Sequence, residues 1–213
     1  MRGDHKLWAD LNGVCVLART LQAFQRCPAI SRLAVVASRT HLESVQSLCS
    51  SYGLSRDVVC VGGSNRQESV LAGLRLLGAC ELVVVHDAAR PLVTPHLIER
   101  GLEVAREFGY ALCAVPAKST FKLVDDSHRV VSTPPREHLW EAQTPQVFRY
   151  PELLAAHEQA AASDKLYTDD AALMEAAGYE VRVYEGSYSN IKITTPEDLP
   201  LVRVLHAMQG SED

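Results

Sequence analysis

Hydrophobic residues in this chain fall into two kinds of segment, which alternate through its first half. Short continuous apolar runs predict strands at residues 33–37, 58–61, 82–86 and 111–115. Apolar residues that recur every three or four positions predict helices at 14–25, 40–52, 64–77 and 95–108. Because strands and helices alternate, the sequence predicts an α/β fold with a doubly wound, mostly parallel, Rossmann-like sheet.

The pattern changes in the middle of the chain. Apolar runs at 121–124 and 130–131 flank Asp125-Asp126-Ser127, a sequence typical of a hairpin turn. Since an antiparallel excursion from a parallel sheet often reaches a partner subunit, we expect a β-arm for dimerisation at about 117–148. Three further helices are expected, with Pro151 as a first residue, Thr168 as a cap and Thr195 at the start of the last. No linker or repeat is visible, so 1–213 is expected to form a single domain.

Composition narrows the class of protein. The 213 residues suffice for one large domain, and the net charge of −5 argues against broad binding to nucleic acid or a membrane surface. A local basic pocket for a phosphorylated small molecule remains compatible with that charge. The six cysteines lack CxxC spacing and read as small buried hydrophobes in a reducing compartment. With no signal peptide and no apolar run near ~20 residues, a cytoplasmic protein is expected.

The predicted strand at 82–86 ends in the most informative polar sequence of the chain, His86-Asp87-Ala88-Ala89-Arg90-Pro91. Ligands of open α/β sheets bind just beyond the carboxyl ends of the strands. There, Asp87 would be placed to hold a metal ion and Arg90 to meet a phosphate. A polar turn that leaves the core and stops at Pro91 would look the same, so this stretch alone leaves both interpretations open.

Five blocks spread over nearly the whole chain resemble the 2-C-methyl-D-erythritol 4-phosphate cytidylyltransferase family, in the family's order. The blocks are Gly62-Gly63 through Arg66 with Ser69-Val70, His86 to Pro91, Trp140 to Gln146, Thr168 to Ala171, and Asn190 to Thr194. The resemblance implies a GT-A-like nucleotidyltransferase that transfers CMP from CTP to that sugar-alcohol phosphate, in the non-mevalonate route to isoprenoid precursors. It also implies a divalent metal, with Mg²⁺ the expected ion, and a homodimer.

Nucleotidyl transfer needs cations more than it needs a nucleophilic side chain. An acceptor phosphate oxygen attacks the α-phosphorus and pyrophosphate leaves in line, so catalysis consists of positioning and charge neutralisation. The resemblance implies that Lys6, Arg136 and Lys192 are the catalytic cations. Each of them could also be a solvated surface residue, and their composition and spacing do not decide between the two.

The resemblance also implies the binding residues. Asp87 would meet the metal and, with the Ala88 backbone, CTP. Gly63, Ser64 and Ser69 would lie at the cytidine end, although Ser64 with Gln67 could equally be a helix capping box. The acceptor would be held by Arg90, Thr120, Arg136 and Lys192.

The chain departs from the family pattern at several places. The family begins with a buried strand and a glycine-rich loop that ends in Arg-Met, and the printed sequence begins at the methionine of that pair, Met1. Residues 1–213 alone are therefore expected to bind CTP weakly and to be poorly soluble. Ser119 and Ser64 stand where an acid is usual, which could loosen recognition of the acceptor or the nucleotide.

Two other functions remain open from the sequence. The same machinery could act on a different polyol phosphate, such as ribitol 5-phosphate. A non-catalytic remnant that keeps the fold and the arm as an interaction module is a second alternative, although a remnant would have no need for Lys6, Asp87, Arg136 and Lys192 together.

Overall fold

The structure, a computed structural model, describes residues 3–163 and 165–209, so Met1 lies outside the described residues. Its α/β class confirms the prediction from the alternating pattern. The strands are β1 (Asp10–Leu11), β2 (Val14–Cys15), β3 (Val35–Ala37), β4 (Val59–Val61), β5 (Leu82–Val85), β6 (Tyr110–Pro116), β7 (Leu123–Val124), β8 (Val130–Ser132), β9 (Trp140–Arg149) and β10 (Arg182–Glu185). The α-helices are α1 (Val16–Gln25), α2 (Leu42–Ser51), α3 (Arg66–Leu77), α4 (Pro95–Phe108), α5 (Tyr150–Ala162), α6 (Asp170–Ala176) and α7 (Asp198–Gln209).

The largest sheet is mixed and has the strand order β10-β6-β9-β5. β10 runs parallel to β6, whereas β9 runs antiparallel to both β5 and β6. The hydrophobic pattern did not predict β9 as a strand, because it carries buried Gln143, Thr144 and Gln146 where a central strand usually has apolar residues. Since β9 lies between β5 and β6, it fixes their relative position and the end of β5.

Helices cover both faces of this sheet. Successive side chains of a strand point to opposite faces, so Val147 of β9 packs with Ile98 and Leu102 of α4 while Phe148 packs with Leu153 of α5. α4 is well delimited: the Thr94 hydroxyl accepts from the Leu97 N–H at 3.2 Å, and the helix ends at a glycine, Gly109, with φ +93°. The two-sided covering partly buries β5, the strand that leads into the polar sequence after Val85, and Val83 is buried.

A second, two-stranded parallel sheet is formed by β3 and β4. Between β3 and β5 lies a cavity of about 570 Å³, which we call the inter-sheet cleft; it is bordered by Val35, Val36, Leu82, Val83, Val84 and Val85, with Leu21 of α1 and Leu77 of α3. Neither β3 nor β5 has a ladder partner on the side that faces the cleft in the described part of the chain. The backbone groups of both strands are therefore available on that side.

Three local predictions need correction. The cap of α3 is Asn65, whose side chain accepts from the Glu68 N–H, so Ser64 is not the capping residue. The cap of α6 is Asp169 rather than Thr168, because the Asp169 carboxylate can accept both the Ala172 N–H and a side chain of β9. The alternation of Lys192 with Ile191 and Ile193 predicts a short strand, but the structure has no strand there. Buried Ile193 still donates its N–H to the Ala89 carbonyl at 2.9 Å.

The hairpin predicted around residues 125–127 is present as β7 and β8. Asp125 closes its turn, since one carboxylate oxygen accepts the N–H groups of both Ser127 and Arg129 at 3.0 Å. The apolar side chains of the hairpin are largely exposed, and Val131 reaches 64%. The predicted arm at about 117–148 needs one correction, because residues 140–148 belong to β9 of the largest sheet. We therefore call residues 117–139, which include the hairpin, the arm.

All six cysteines are unpaired; Cys27, Cys49 and Cys113 are buried as predicted, whereas Cys15, Cys60 and Cys80 are only partly buried. Across residues 3–163 and 165–209, no helix has both the length and the apolar character needed to cross a bilayer.

Candidate active site

Asp87 lies just past the carboxyl end of β5, where the fold predicts a ligand site. Its side chain is only 18% exposed and lies between two cations. Lys192 Nζ is 2.7 Å from one carboxylate oxygen, and Arg66 Nε is 3.8 Å from the other. The structure therefore brings together Asp87 and Lys192, which are more than a hundred residues apart in sequence.

The charge state of Asp87 follows from these neighbours. Burial pushes the pKa of the Asp87 carboxyl upward, but the hydrogen bond and charge of Lys192, with the charge of Arg66, outweigh burial. The net effect lowers the pKa of Asp87 below its ordinary value. At neutral pH the site presents a carboxylate with two cations beside it, a group of charges suited to a metal ion and phosphates.

The backbone of Asp87 is held by β9 through a chain of hydrogen bonds. The Asp87 N–H donates to Thr144 Oγ1 at 3.1 Å, and the Thr144 hydroxyl lies 2.9 Å from His86 Nδ1. His86 Nε2 is 3.2 Å from the Arg90 carbonyl, which can only accept, so Nε2 carries the proton and Nδ1 accepts from Thr144. Burial lowers the pKa of His86 to about 4, which keeps the ring neutral.

Arg90 joins the turn after β5 to the segment that carries Lys192. Its backbone N–H donates to the Asp87 carbonyl at 2.9 Å, and its Nη1 donates to the Asn190 carbonyl at 2.7 Å. Buried Asn190 in turn donates to the Thr144 carbonyl at 2.8 Å. Of the guanidinium, Nη1 takes part in these contacts, and burial lowers its pKa. They fix where Lys192 emerges opposite Asp87.

The predicted nucleotide residues lie around the start of α3. Gly63 donates its N–H to Ser69 Oγ at 3.2 Å, while the Ser64 N–H donates to the Glu68 carboxylate at 2.7 Å. Hydrogen bonds from the Ser64 N–H and hydroxyl lower the pKa of Glu68. Ser69, Asp87 and Ala88 all border the inter-sheet cleft, so this part of the predicted site shares one cavity.

The other predicted residues lie further away. Lys6 belongs to a short 3₁₀ helix (Gly3–Trp8) whose Leu7 and Trp8 border the cleft. Arg136 and Thr120 lie on the exposed arm, where Arg136 Nη1 donates to the Lys118 carbonyl at 2.9 Å. The structure thus gathers Asp87, Lys192, Arg90 and the α3 residues, and it places Arg136 and Thr120 on a separate element.

Comparison with known proteins gives the family. The model of the IspD family, 2-C-methyl-D-erythritol 4-phosphate cytidylyltransferase, matches residues 1–206. The chain belongs to this family. It is 43% identical over 206 residues to the 2-C-methyl-D-erythritol 4-phosphate cytidylyltransferase of Dehalococcoides mccartyi strain 195, a match that covers 96% of the chain and 89% of the relative.

Two further matches compare the chain with a longer relative and with a solved structure. The chain is 44% identical over 205 residues to the bifunctional enzyme IspD/IspF of Desulforudis audaxviator; the match covers 95% of the chain but about half, 52%, of that relative. A solved structure of 4-diphosphocytidyl-2C-methyl-D-erythritol synthase from Anaerococcus prevotii superposes with a TM-score of 0.85 at 30% identity, covering 92% of the chain and 87% of the solved one. The fold and the family agree with the resemblance of the five blocks.

The donor set around Asp87 fits one kind of metal site. In the described part of the chain, no three His, Cys, Asp or Glu side chains gather into a group that could hold an ion by themselves. Mg²⁺ at nucleotide sites usually takes one or two carboxylates and completes its shell with phosphate oxygens and water. Asp87 therefore suits an ion of the kind that a triphosphate helps to hold.

Sequence reasoning missed three residues that shape the site. Arg66 stood within a matched block but was not assigned a role, although it is the second cation beside Asp87. Thr144 was in another block, and its contact with Asp87 could not be seen before β9 was known. Asp170, at the start of α6, is expected only to interact favourably with the helix dipole, yet it contacts Arg66 at 2.7 Å. The signal available was that all three lie inside the blocks that match the family.

Proposed function

We propose that this protein transfers CMP from CTP to 2-C-methyl-D-erythritol 4-phosphate and releases pyrophosphate. The observation that carries the proposal is the Asp87–Lys192 pair, 2.7 Å apart at the end of β5, in a chain whose residues 1–206 match the cytidylyltransferase family. A carboxylate beside a lysine at that edge offers a metal-binding oxygen and a phosphate-binding cation. These are the two groups that in-line phosphoryl chemistry requires of its enzyme.

In the reaction, an oxygen of the acceptor phosphate forms a bond to the α-phosphorus as the bond from that phosphorus to the bridging oxygen of pyrophosphate breaks. Lys192 orients the acceptor phosphate, and Lys6 neutralises charge on the triphosphate as pyrophosphate leaves. Asp87 would hold a divalent metal, for which Mg²⁺ is the expected ion. That ion supplies charge neutralisation on the phosphates when bound. Arg90 keeps Asp87 and Lys192 in register through its contacts with both segments.

The nucleotide and acceptor ends are assigned on the same basis. Gly63, Ser64 and Ser69, with the Ala88 backbone, would bind the cytidine part of CTP, because the start of α3 and the turn after β5 meet at the cleft. Thr120 and Arg136 would bind the acceptor from the arm. The guanidinium of Arg136 suits a pair of phosphate oxygens.

We further propose that the protein is a cytoplasmic homodimer joined by the arm. Support comes from exposed apolar side chains on both hairpin strands, such as Leu123 at 57% and Val130 at 55%, because such surface is usually covered in an assembly. A homodimer would allow Arg136 to reach the acceptor site of its partner. Light scattering of the protein and of Leu123→Glu should give a dimer and a monomer, and a monomeric parent protein would contradict this arrangement.

The test of the activity is an acceptor panel. The purified protein is incubated with CTP and Mg²⁺ and with either 2-C-methyl-D-erythritol 4-phosphate or ribitol 5-phosphate, and nucleotide products are separated by mass. We expect a cytidine diphosphate adduct of the first acceptor, with pyrophosphate in equal amount, and loss of both in Asp87→Asn. Equal or faster turnover of ribitol 5-phosphate would overturn the acceptor, and no turnover of either would favour the non-catalytic alternative.

A further inference from the structure

A buried carboxylate lies behind the active site, where α3, α5 and α6 meet. Asp170, at the start of α6, is 1% exposed and uses both of its oxygens. One oxygen is 2.9 Å from His157 Nε2 of α5, and the other accepts from Arg66 Nη2 of α3 at 2.7 Å. His157 is also 1% exposed. The pair therefore holds the guanidinium of Arg66 from the protein interior.

Arg66 connects the buried Asp170–His157 pair to Asp87 in the active site. Its Nε lies 3.8 Å from Asp87, and about a third of its side chain, 35%, is exposed at the cleft. The charges alternate along the row Asp170, Arg66, Asp87 and Lys192. The two cations beside Asp87 are held differently. Arg66 also contacts a second carboxylate, Asp170, whereas Lys192 joins the row through its contact with Asp87.

The two carboxylates of the row, Asp170 and Asp87, are tied to the same strand. Gln146 of β9 donates to the Asp169 carboxylate at 2.9 Å and accepts the Ala171 N–H at 3.0 Å, which fixes the start of α6. Two residues earlier in β9, Thr144 accepts the Asp87 N–H. Since β9 places Asp170 and Asp87 independently, the position of Arg66 between them is set by the sheet.

The buried pair is poorly explained by packing alone. His157 Nδ1 is buried with no hydrogen-bond partner among the residues that the structure describes, so this region carries an unsatisfied polar atom as well as a buried charge. Buried ionic groups of this kind can often be replaced by apolar residues without loss of stability. Positioning the Arg66 guanidinium at the mouth of the cleft would be a functional reason to keep the Asp170–His157 pair.

Resting on the proposed function, we infer that Arg66 binds a triphosphate oxygen of the nucleotide, and that Asp170 and His157 are positioning residues that hold Arg66 there. When a metal ion and phosphates reach Asp87, Lys192 can turn to the acceptor, but Arg66 stays in place because Asp170 retains it. The exposed N–H groups of the guanidinium then face the phosphates. Fork-like donors of this kind suit paired phosphate oxygens.

The test is a double-mutant cycle with Arg66→Gln and Asp170→Asn, measured as kcat/KM for CTP below the melting temperature of every variant. Each single change should lower kcat/KM by about tenfold or more. Because Asp170 acts through Arg66, the double variant should be no worse than Arg66→Gln, within about twofold. His157→Gln, which can still donate to Asp170, should keep most of the activity, and His157→Phe should lose it.

The matched control lies on the same pair of helices. Glu158 of α5 follows His157 in sequence. Its carboxylate pairs with Arg75 of α3 at 3.2 Å on the surface. Glu158→Gln breaks a contact between α3 and α5 without touching the row of charges, and its kcat/KM should stay within about twofold of the parent.

Binding of CTP with Mg²⁺, measured by calorimetry, separates this inference from the proposed function. Affinity that falls about tenfold in Asp170→Asn would support the inference even if no acceptor is turned over. A folded Asp170→Asn with parental affinity and kcat/KM would overturn it while the transferase activity stands. Losses that multiply in the double variant would overturn it as well, and a parent that neither binds nor turns over CTP would overturn both.

Discussion

Asp87 shows how one residue acquires its chemistry from neighbours that are distant in sequence. Asp87 lies at the end of β5, and its backbone N–H donates to Thr144. Lys192 and Arg66 stabilise the charged form of its carboxylate. Any of these alone would leave an ordinary polar turn. Together they keep an ionised carboxylate in a partly closed site, because the cations offset the cost of its burial.

Replacing Lys192 should test the cation opposite Asp87. Lys192→Ala removes the partner at 2.7 Å, so kcat/KM is expected to fall by about a hundredfold, the usual cost of losing one group that stabilises transition-state charge. Steady-state kinetics with the acceptor varied measures it. Lys165→Ala, which removes an exposed lysine elsewhere, is the control and should leave kcat/KM unchanged. A Lys192→Ala enzyme with parental kinetics would remove Lys192 from the site.

His86 should make stability depend on pH. Its pKa is about 4 in the folded protein and 6.5 without burial, so between these values the unfolded chain binds a proton that the folded protein refuses. The free energy of unfolding is therefore complete above pH 6.5 and falls toward pH 4, by at most roughly 3 kcal/mol. Asp87 and Asp170, whose pKa values lie below 3.8, lose their contribution only at still lower pH.

Urea unfolding at pH 7 and pH 4.5, for the parent and for His86→Gln, measures this dependence. The variant lacks the titrating group, so its stability should change less over the interval. An identical pH dependence in both proteins would show that His86 is not the group responsible.

At the scale of elements, the close packing of α4 on the sheet depends on a helical glycine. A Cβ built on Gly101 would lie 2.6 Å from Tyr184 Oη and 2.9 Å from Val147 Cγ2. Gly101→Ala should therefore destabilise the protein by about 1–3 kcal/mol, although alanine is the better helix former. Denaturant unfolding measures it. Glu103→Ala, which breaks an exposed pair with Arg100 on the same helix, should cost no more than about 0.5 kcal/mol. Unchanged stability in Gly101→Ala would mean that α4 can shift away from β9 and β10.

The elements also show what sequence can and cannot predict. β5 was predicted because Leu82–Val85 is continuously apolar, and the hairpin because Asp125 and its neighbours are turn residues. β9 was missed because buried Gln143 and Gln146 satisfy their polar groups through contacts that no local pattern contains. For the same reason the link from Asp170 to Arg66 joins residues over a hundred positions apart and had no local signal.

At the scale of the whole molecule, the separation of the two sheets is the main departure from the predicted single doubly wound sheet. β3 and β5 face each other across the inter-sheet cleft, and within residues 3–163 and 165–209 neither has a strand paired to the edge that faces it. A strand placed there could pair with both edges and would join the sheets. Weak CTP binding and low solubility of residues 1–213 stay predictions. They can be tested by changing what occupies the inter-sheet cleft.

Filling the cleft should stabilise the protein. An extension of five Val and Ile residues, fused through a short flexible linker ahead of residue 1, is expected to raise the melting temperature by about 5 °C, because it would bury apolar surface and pair backbone groups. Calorimetry measures it. A Gly-Ser extension of equal length is the control, and equal melting temperatures for the two extensions would contradict the prediction.

Cys80 gives the cleft a built-in chemical reporter. Its thiol borders the cleft and is partly exposed, although burial raises its pKa. Cys113 is fully buried, and burial raises its pKa to about 11. Thiolates are the species that alkylating reagents modify. Iodoacetamide should therefore label Cys80 at a rate that falls when something occupies the space beside it, while Cys113 stays unlabelled as an internal reference. Peptide mass spectrometry of the untagged chain would read that rate directly.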